Sequence, residues 1–383
     1  MPEADGDRSR MRRMLYVDTY IERPEPGRLA SSDSIGYGIT SSGVLKSSFT
    51  AAGFVVGSPG GVGATRTDWL VDTYRGVLEQ LRQKPPDVIF LFHCFTPFAV
   101  EIRRMLLDLG VRTKLIGYVH GSHWDATDKY RVESYPGLEL ADVANMAALD
   151  LVLLDSETML ETLRRELRIL GRVAEPIMRR ARVIGLPINT DMIDAYRTEK
   201  PNGSPTVIFN HAPIASKAPL DFLEVAERLL KKTDAKIQIT RRFSEESPGF
   251  IQLRRLKSYY PHRIEVGNDL PIPEYYSWLW ASHFQVSTAS HESLGVSTLE
   301  AMYTGNCTLL PRLGSYPEIT GDVDTVLYQP GDLEELEAKL LALMDNEGSR
   351  THIAARLRRQ AAKFAPRPVM QRLLAAIEEV LTD

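Results

Sequence analysis

Cysteine is almost absent from this chain of 383 residues: only Cys94 and Cys307 occur, one in each half. That excludes a disulfide framework and a cysteine-built metal cluster, and it leads us to expect a reduced, cytoplasmic setting. No apolar run approaches the roughly 20 residues that span a bilayer. The N-terminus, MPEADGDRSRMRRM, holds no apolar core of the kind a secretory signal needs, and residues 1–13 are expected to form a disordered leader. Charge of one sign is lacking as well. Against 46 lysines and arginines stand 50 aspartates and glutamates, a net charge of −4, which argues against a protein that coats nucleic acid generally. Three catalytic signatures are missing: HExxH, GxSxG and the phosphate loop GxxxxGK[ST]. Hydrolase and NTPase readings therefore lack their residues. The glycine-rich GSPGGVG (57–63) ends without the lysine of that loop and reads as a flexible connection.

What is present is an ordinary globular composition, 43% hydrophobic and 25% charged, over a length that suits two domains of about 150 to 200 residues each. Short apolar runs alternate with helical patterns. In the first half the expected strands are Met14–Val17, Phe54–Val56, Asp87–His93, Lys114–His120 and Leu151–Leu154, with helices at Gly43–Ala52, Trp69–Arg82 and Pro97–Leu109. A second series has strands at Thr206–Asn210, Ala235–Thr240, Ile264–Val266, Phe284–Ser287 and Cys307–Leu310. Its helices are Leu220–Lys232, Pro273–Trp280 and Leu333–Met344, and Ala365–Leu381 is a terminal amphipathic helix. This alternation predicts an α/β protein with parallel sheets covered on both faces, whose ligands bind beyond the C-terminal strand ends. Pro, Gly and Asn cluster at Leu186–Ser204, where we expect the junction of a domain over 14–187 with another over 188–364.

The chemistry concentrates in Ser287–Glu318, STASHESLGVSTLEAMYTGNCTLLPRLGSYPE, where Glu292 and Glu300 stand eight positions apart around a Gly-Val turn. Gly295 admits backbone angles that other residues avoid, and Val296–Thr304 reads as a helix with Gly305 at its C-terminus. The first-turn amides at Val296 and Ser297 have no partner within the helix and, with its dipole, make an anion site. Carboxylates flanking a bound diphosphate suit the hydroxyl-rich groups on either side of it, which is the pattern of a nucleotide sugar.

The segment resembles the Glu-x7-Glu signature of family 4 retaining glycosyltransferases of GT-B architecture. The longer string STA-x-HE-x-x-GV-x-x-LEA-x-Y-x-G with its following YPE is similar to the tRNA-queuosine mannosyltransferase branch. The resemblance implies two Rossmann-like domains facing across a cleft, with the helix over 365–383 crossing back to the first. It also implies a metal-independent reaction without a cofactor, using a nucleotide-diphosphate sugar. GDP-mannose is favoured, with a UDP-linked donor as the other choice. Glu300 would bind the ribose and Glu292 the sugar hydroxyls. His120, closing the strand KLIGYVH, would face the donor sugar, although the following residue is Gly121 where the family carries an acid. Lys217 in NHAPIASKAP would neutralise the leaving diphosphate. The arginine that the family places a few residues earlier is Ala212 here, and Arg241 with Arg242 stand as substitutes. Gly267 would pass close to the base, Gly38 of GYG close to the donor phosphates, and His123 with Trp124 would line the acceptor wall.

Some features stay open. EYYSWLW (274–280) reads as core packing in preference to base stacking. The stretch from Arg164 to Arg182 holds seven arginines against two glutamates; it reads as a solvated face, with an RNA-backbone contact as the alternative. The acceptor is a small molecule, a glycan precursor or a tRNA nucleoside. Two rivals remain: a non-catalytic nucleotide-sugar sensor, and a nucleotide-sugar epimerase on the same fold.

Overall fold

The computed structural model describes residues 11–20, 37–61, 65–95, 98–128, 137–268 and 270–382. Twelve strands form two parallel sheets among these residues. The first holds β1 (Arg13–Val17), β2 (Val55–Gly57), β3 (Val88–Leu91), β4 (Lys114–Val119), β5 (Leu151–Leu154) and β6 (Ala181–Val183), in the spatial order β2-β1-β3-β4-β5-β6. The second holds β7 (Thr206–Phe209), β8 (Lys236–Ile239), β9 (Ile264–Val266), β10 (Phe284–Val286), β11 (Cys307–Pro311) and β12 (Leu327–Tyr328), in the order β12-β11-β10-β7-β8-β9. Every pairing is parallel. The strands are nearly continuous apolar runs because helices cover both faces of each sheet.

The alternation of side chains sorts the first sheet into two cores. Leu15, Val17, Ile89, Leu91, Val152 and Leu154 point to one face. Met14, Tyr16, Val88, Phe90, Leu151 and Leu153 point to the other, and that core runs on into the second sheet. The terminal helix, Pro366–Thr382, joins them by burying Val369, Met370, Leu373, Ala376 and Ile377 along one stripe. It crosses back onto the first domain as expected. Arg372 donates to the Ile184 carbonyl at 2.9 and 3.1 Å, Arg182 pairs with Glu379 at 2.7 Å, and Arg12 pairs with Glu378.

Read from the other edge, the second sheet has the doubly wound order 3-2-1-4-5-6, which reverses direction between β7 and β10. Connections leaving these two neighbouring strands diverge to opposite faces and open a crevice at their C-terminal ends. β7 runs into Asn210–Lys217, and β10 runs into Ser287–Gly295. The segment with the two glutamates thus arrives at the switch point of the sheet.

Several expectations need revision. Gly38 precedes the helix expected at Gly43–Ala52, but the helix starts earlier, at Tyr37, so Gly38 is its second residue; Gly36 lies outside the described residues. The expected flexible loop after β2 instead packs closely where it is described. A Cβ on Gly76 would meet the Pro59 carbonyl oxygen at 1.8 Å, and one on Gly61 would meet Thr73 at 2.6 Å. Residues 62–64 lie outside the described set. No helix among the described residues is long and apolar enough to cross a membrane.

Candidate active site

Gly295 enters the helix Val296–Tyr303 at φ +82°, and no side chain caps that helix. The turn is tight: a Cβ on Gly295 would stand 3.2 Å from the Tyr316 ring and 3.3 Å from Glu292 Cγ. Ser297 in the first turn meets His211 Nδ1 through its hydroxyl at 3.2 Å, and its carbonyl accepts from Asn210 Nδ2 at 2.8 Å. The connection leaving β7 is thereby tied to the helix that follows β10.

Glu292 lies beside this turn and accepts from Lys217 Nζ at 2.8 Å and from the Tyr316 hydroxyl at 3.2 Å. Lys217 also donates to the His291 carbonyl at 3.1 Å. Burial alone would push the Glu292 carboxyl up. The Lys217 ammonium, through its charge and its hydrogen bond, outweighs that, so the Glu292 pKa lies below the ordinary carboxylate value. The ion pair is largely covered, with 17% and 12% of the two side chains exposed.

Glu300 has a different environment. It is buried inside the second turn, 3% exposed, and both carboxylate oxygens are taken by tyrosine hydroxyls, Tyr275 at 2.9 Å and Tyr276 at 3.0 Å. Burial pushes its pKa up to about 7, against the pull of the two tyrosines and of Arg241. Asn210 extends the chain by donating to Tyr275 at 3.2 Å. Arg241 is buried as well, with its guanidinium carbon 5.9 Å from the centroid of the Tyr275 ring. Its Nε and Nη1 have no hydrogen-bond partner among the described residues, a costly state for a buried cation that an incoming acceptor would relieve. His211 sits among these charges. Burial, then Lys217 and Arg241, depress its pKa to about 3 against Glu292, so its ring is neutral.

Other expected site residues fall elsewhere. His120 is buried, its Nδ1 3.0 Å from Asp155 and its Nε2 2.6 Å from the Phe92 carbonyl. Both ring nitrogens face protein acceptors, so the ring ties the end of β4 to the residues that follow β3 and β5. His123 Nδ1 is 2.8 Å from Asp142, and the Trp124 indole donates to the Glu139 carbonyl at 2.7 Å. Neither lines the cavity described below. A Cβ on Gly267 would meet Leu270 at 2.3 Å, so the glycine packs directly against that side chain. Arg242 is exposed and pairs with Glu245 at 3.3 Å.

Between the domains lies a cavity of about 200 Å³. Gly121, Ser122, Asp125, Thr127, Asp128 and Thr158 line it from one side, and Ser290, His291, Glu292 and Gly314 from the other. Most of these escaped sequence reasoning, because the residues facing Glu292 come from loops and one helix start more than 130 positions away that carry no spacing pattern. Among the described residues, no group of three or more His, Cys, Asp or Glu side chains is placed to hold a metal ion.

Residues 194–363 match the family described as glycosyl transferases group 1. No curated protein matches the sequence at a significant level. Among solved structures the chain is similar to sucrose-phosphate synthase from Thermosynechococcus elongatus, with TM-score 0.75, 11% identity and coverage of 97% of this chain and 99% of that one. It is similar also to the catalytic domain of starch synthase IV from Arabidopsis thaliana bound to ADP and acarbose, with TM-score 0.72, 12% identity and coverage of 97% and 100%. A third is Anabaena HepE in complex with UDP-glucose, with TM-score 0.68, 13% identity and coverage of 96% and 100%. The chain has the GT-B fold, and its second domain carries the glycosyl transferase group 1 match.

Proposed function

We propose that this protein is a retaining, metal-independent glycosyltransferase. It moves a hexose, with mannose favoured, from a nucleotide-diphosphate sugar to an acceptor hydroxyl. The observation that carries the reading is the Lys217–Glu292 pair beside the uncapped helix that Gly295 opens at the switch point between β7 and β10. Anionic phosphate belongs at that helix end, with Lys217 as its counter-charge. Glu292, held ionised, accepts from the sugar hydroxyls, while Glu300 and Arg241, whose Nε and Nη1 await an acceptor, lie on the nucleotide side. Solved GT-B proteins holding ADP or UDP-glucose support a nucleotide-sugar donor.

In the reaction, the bond between the sugar C1 and the diphosphate oxygen breaks. The acceptor oxygen bonds to C1 on the same face, and its proton passes to the departing phosphate. Lys217 and the amides of Val296 and Ser297 hold the charge that grows on the diphosphate, a kind of contribution worth about 3 kcal/mol of barrier per donor. His120, its ring engaged by Asp155 and Phe92, stands outside the lining of the cavity, and no step is assigned to it. The acceptor is a small molecule, a glycan precursor or a tRNA nucleoside, and the working compartment is the cytoplasm.

A thermal-shift panel of UDP-, GDP- and ADP-sugars tests the donor. A true donor at about 100 times its dissociation constant stabilises by about 2.7 kcal/mol, and a panel with no shift would overturn the proposal. The half-buried Ala212, where a cation is expected, favours a sensor as the second reading. A sensor would bind the donor without slow release of free sugar.

A further inference from the structure

Among the described residues, two bridges across the cleft land beside Glu292. Ser156, just before the helix Glu157–Glu166, donates its hydroxyl to the Ser293 carbonyl at 2.6 Å while accepting the Met159 amide at 3.2 Å. Thr158 donates to the Gly314 carbonyl at 3.1 Å, and the Glu318 carboxylate accepts the amides of Glu157 and Thr158 at 3.2 and 3.3 Å. At the second bridge, the Thr127 hydroxyl donates to Asp125 at 2.7 Å and stands 2.9 Å from His291 Nδ1. A hydroxyl has a single proton, so toward His291 it accepts, and Nδ1 carries the hydrogen. Asp125 and Asp128 lie 3.7 and 3.6 Å from the same ring.

The residues immediately before and after Glu292 are therefore each held by the first domain. Its own carboxylate is held by Lys217 and Tyr316 of the second. A Cβ on Gly314 would meet the Glu292 carbonyl oxygen at 2.2 Å, so the segment bonded to Thr158 lies directly on the Glu292 backbone.

We propose that Ser156 and Thr127 are positioning residues: by gripping Ser293 and His291, the first domain sets where Glu292 stands. The inference rests on the reading of Glu292 as a donor contact. When the domains part, both grips are lost together while the Lys217–Glu292 pair persists. Donor binding then survives, and the alignment of the sugar does not. Misplacement by about 1 Å can cost roughly 10²-fold in turnover, so the signature is a loss in kcat with KM preserved.

The test uses the full chain. Ser156→Asp keeps a side-chain oxygen to cap the helix but has no proton for the Ser293 carbonyl. Thr127→Val removes the other hydroxyl, and Thr127→Ser restores it. Hydrogen exchange of the amides at 288–295 is expected to rise about tenfold in the first two variants, the equivalent of one lost hydrogen bond, and to return in the third. Release of free sugar from UDP-glucose or GDP-mannose is expected to lose roughly 10- to 100-fold in kcat, with KM within about twofold. Unchanged exchange in both disrupted variants overturns the grip whatever the activity does. Raised exchange with unchanged kcat overturns its link to Glu292. If the wild-type chain turns over neither nucleotide sugar, the donor reading falls separately, and the exchange data still decide the grip.

Discussion

Glu300 is an ionisable group that the fold holds away from its preferred charge, and removing that charge should stabilise the protein while harming the site. The carboxyl is fully enclosed, and its pKa rises from an ordinary 4.5 to about 7 because burial disfavours the ionised form more than Tyr275, Tyr276 and Arg241 favour it. Between these two values the folded state binds more protons than the unfolded chain, so stability falls as pH rises. The contribution is fully present below pH 4.5 and gone above about 7. The interval, 7 − 4.5 = 2.5, is worth about 3 kcal/mol. Glu300→Gln removes the ionisation and leaves one oxygen to accept from a tyrosine, while its amide can donate to the other hydroxyl. Allowing for imperfect hydrogen bonds, the variant should exceed the wild type by about 2 to 3 kcal/mol at pH 8, and the gap should close toward pH 4.5. Urea unfolding followed by circular dichroism across pH 5 to 8.5 measures this, if unfolding is reversible. Donor affinity should fall in the same variant, since a neutral amide is a weaker acceptor for ribose hydroxyls. A gap that stays constant with pH, or a variant less stable than wild type at pH 8, would refute the account of Glu300 as a charge held against burial.

Three further outcomes follow from the site. Lys217→Met leaves Glu292 without its cation. Turnover of the nucleotide sugar should drop roughly 10²-fold, and stability should fall by about 1 to 3 kcal/mol, read from steady-state kinetics and thermal melting. Gly314→Ala puts a side chain on a residue at φ +52° and drives it into the Glu292 carbonyl oxygen. Backbone strain of about 1 to 2 kcal/mol and a displaced Glu292 should lower both the melting temperature and kcat. His120→Ala leaves Asp155 buried without its imidazole. Denaturant unfolding should show a loss of about 1 to 3 kcal/mol, while donor affinity of the folded protein, by calorimetry, stays within about twofold.

The elements legible in the sequence were those whose periodicity is strong and undiluted. Leu333–Met344 and the terminal helix present clear apolar stripes, and the longer parallel strands are continuous apolar runs. β6 and β12, of three and two residues, are too short to show a period. The helix Glu347–Ala361 is also hard to see, because arginine stems cover much of its contact surface. Arg350 lies over Phe284, and Arg358 over Trp280 and Tyr303. The arginine run that reads as one solvated face is divided in the same way. Arg180 donates to the carbonyls of Ala147 and Leu149 at 3.3 and 3.0 Å, and Arg182 pairs with the terminal helix. Composition cannot reveal these tasks, since each depends on a partner distant along the chain.

The two glutamates show where a motif stops being informative. Their spacing places them on either side of one glycine turn, and the switch-point location follows from the strands before them. Their chemistry does not follow from the spacing. Glu292 meets a lysine 75 positions earlier and stays below the ordinary carboxylate range, while Glu300 meets two tyrosines from a segment that reads as core and rises to about 7. Identical side chains in one motif thus acquire opposite leanings, one a fixed anion and the other poised between charge states near neutrality. The difference comes from burial and from tertiary partners, quantities that exist only once the second domain has folded. EYYSWLW illustrates the cost of choosing between packing and function: its helix is buried as expected, yet the hydroxyls at the edge of that packing, Tyr275 and Tyr276, donate to both oxygens of Glu300. A tyrosine serves both purposes at once because its ring is apolar and its tip is not.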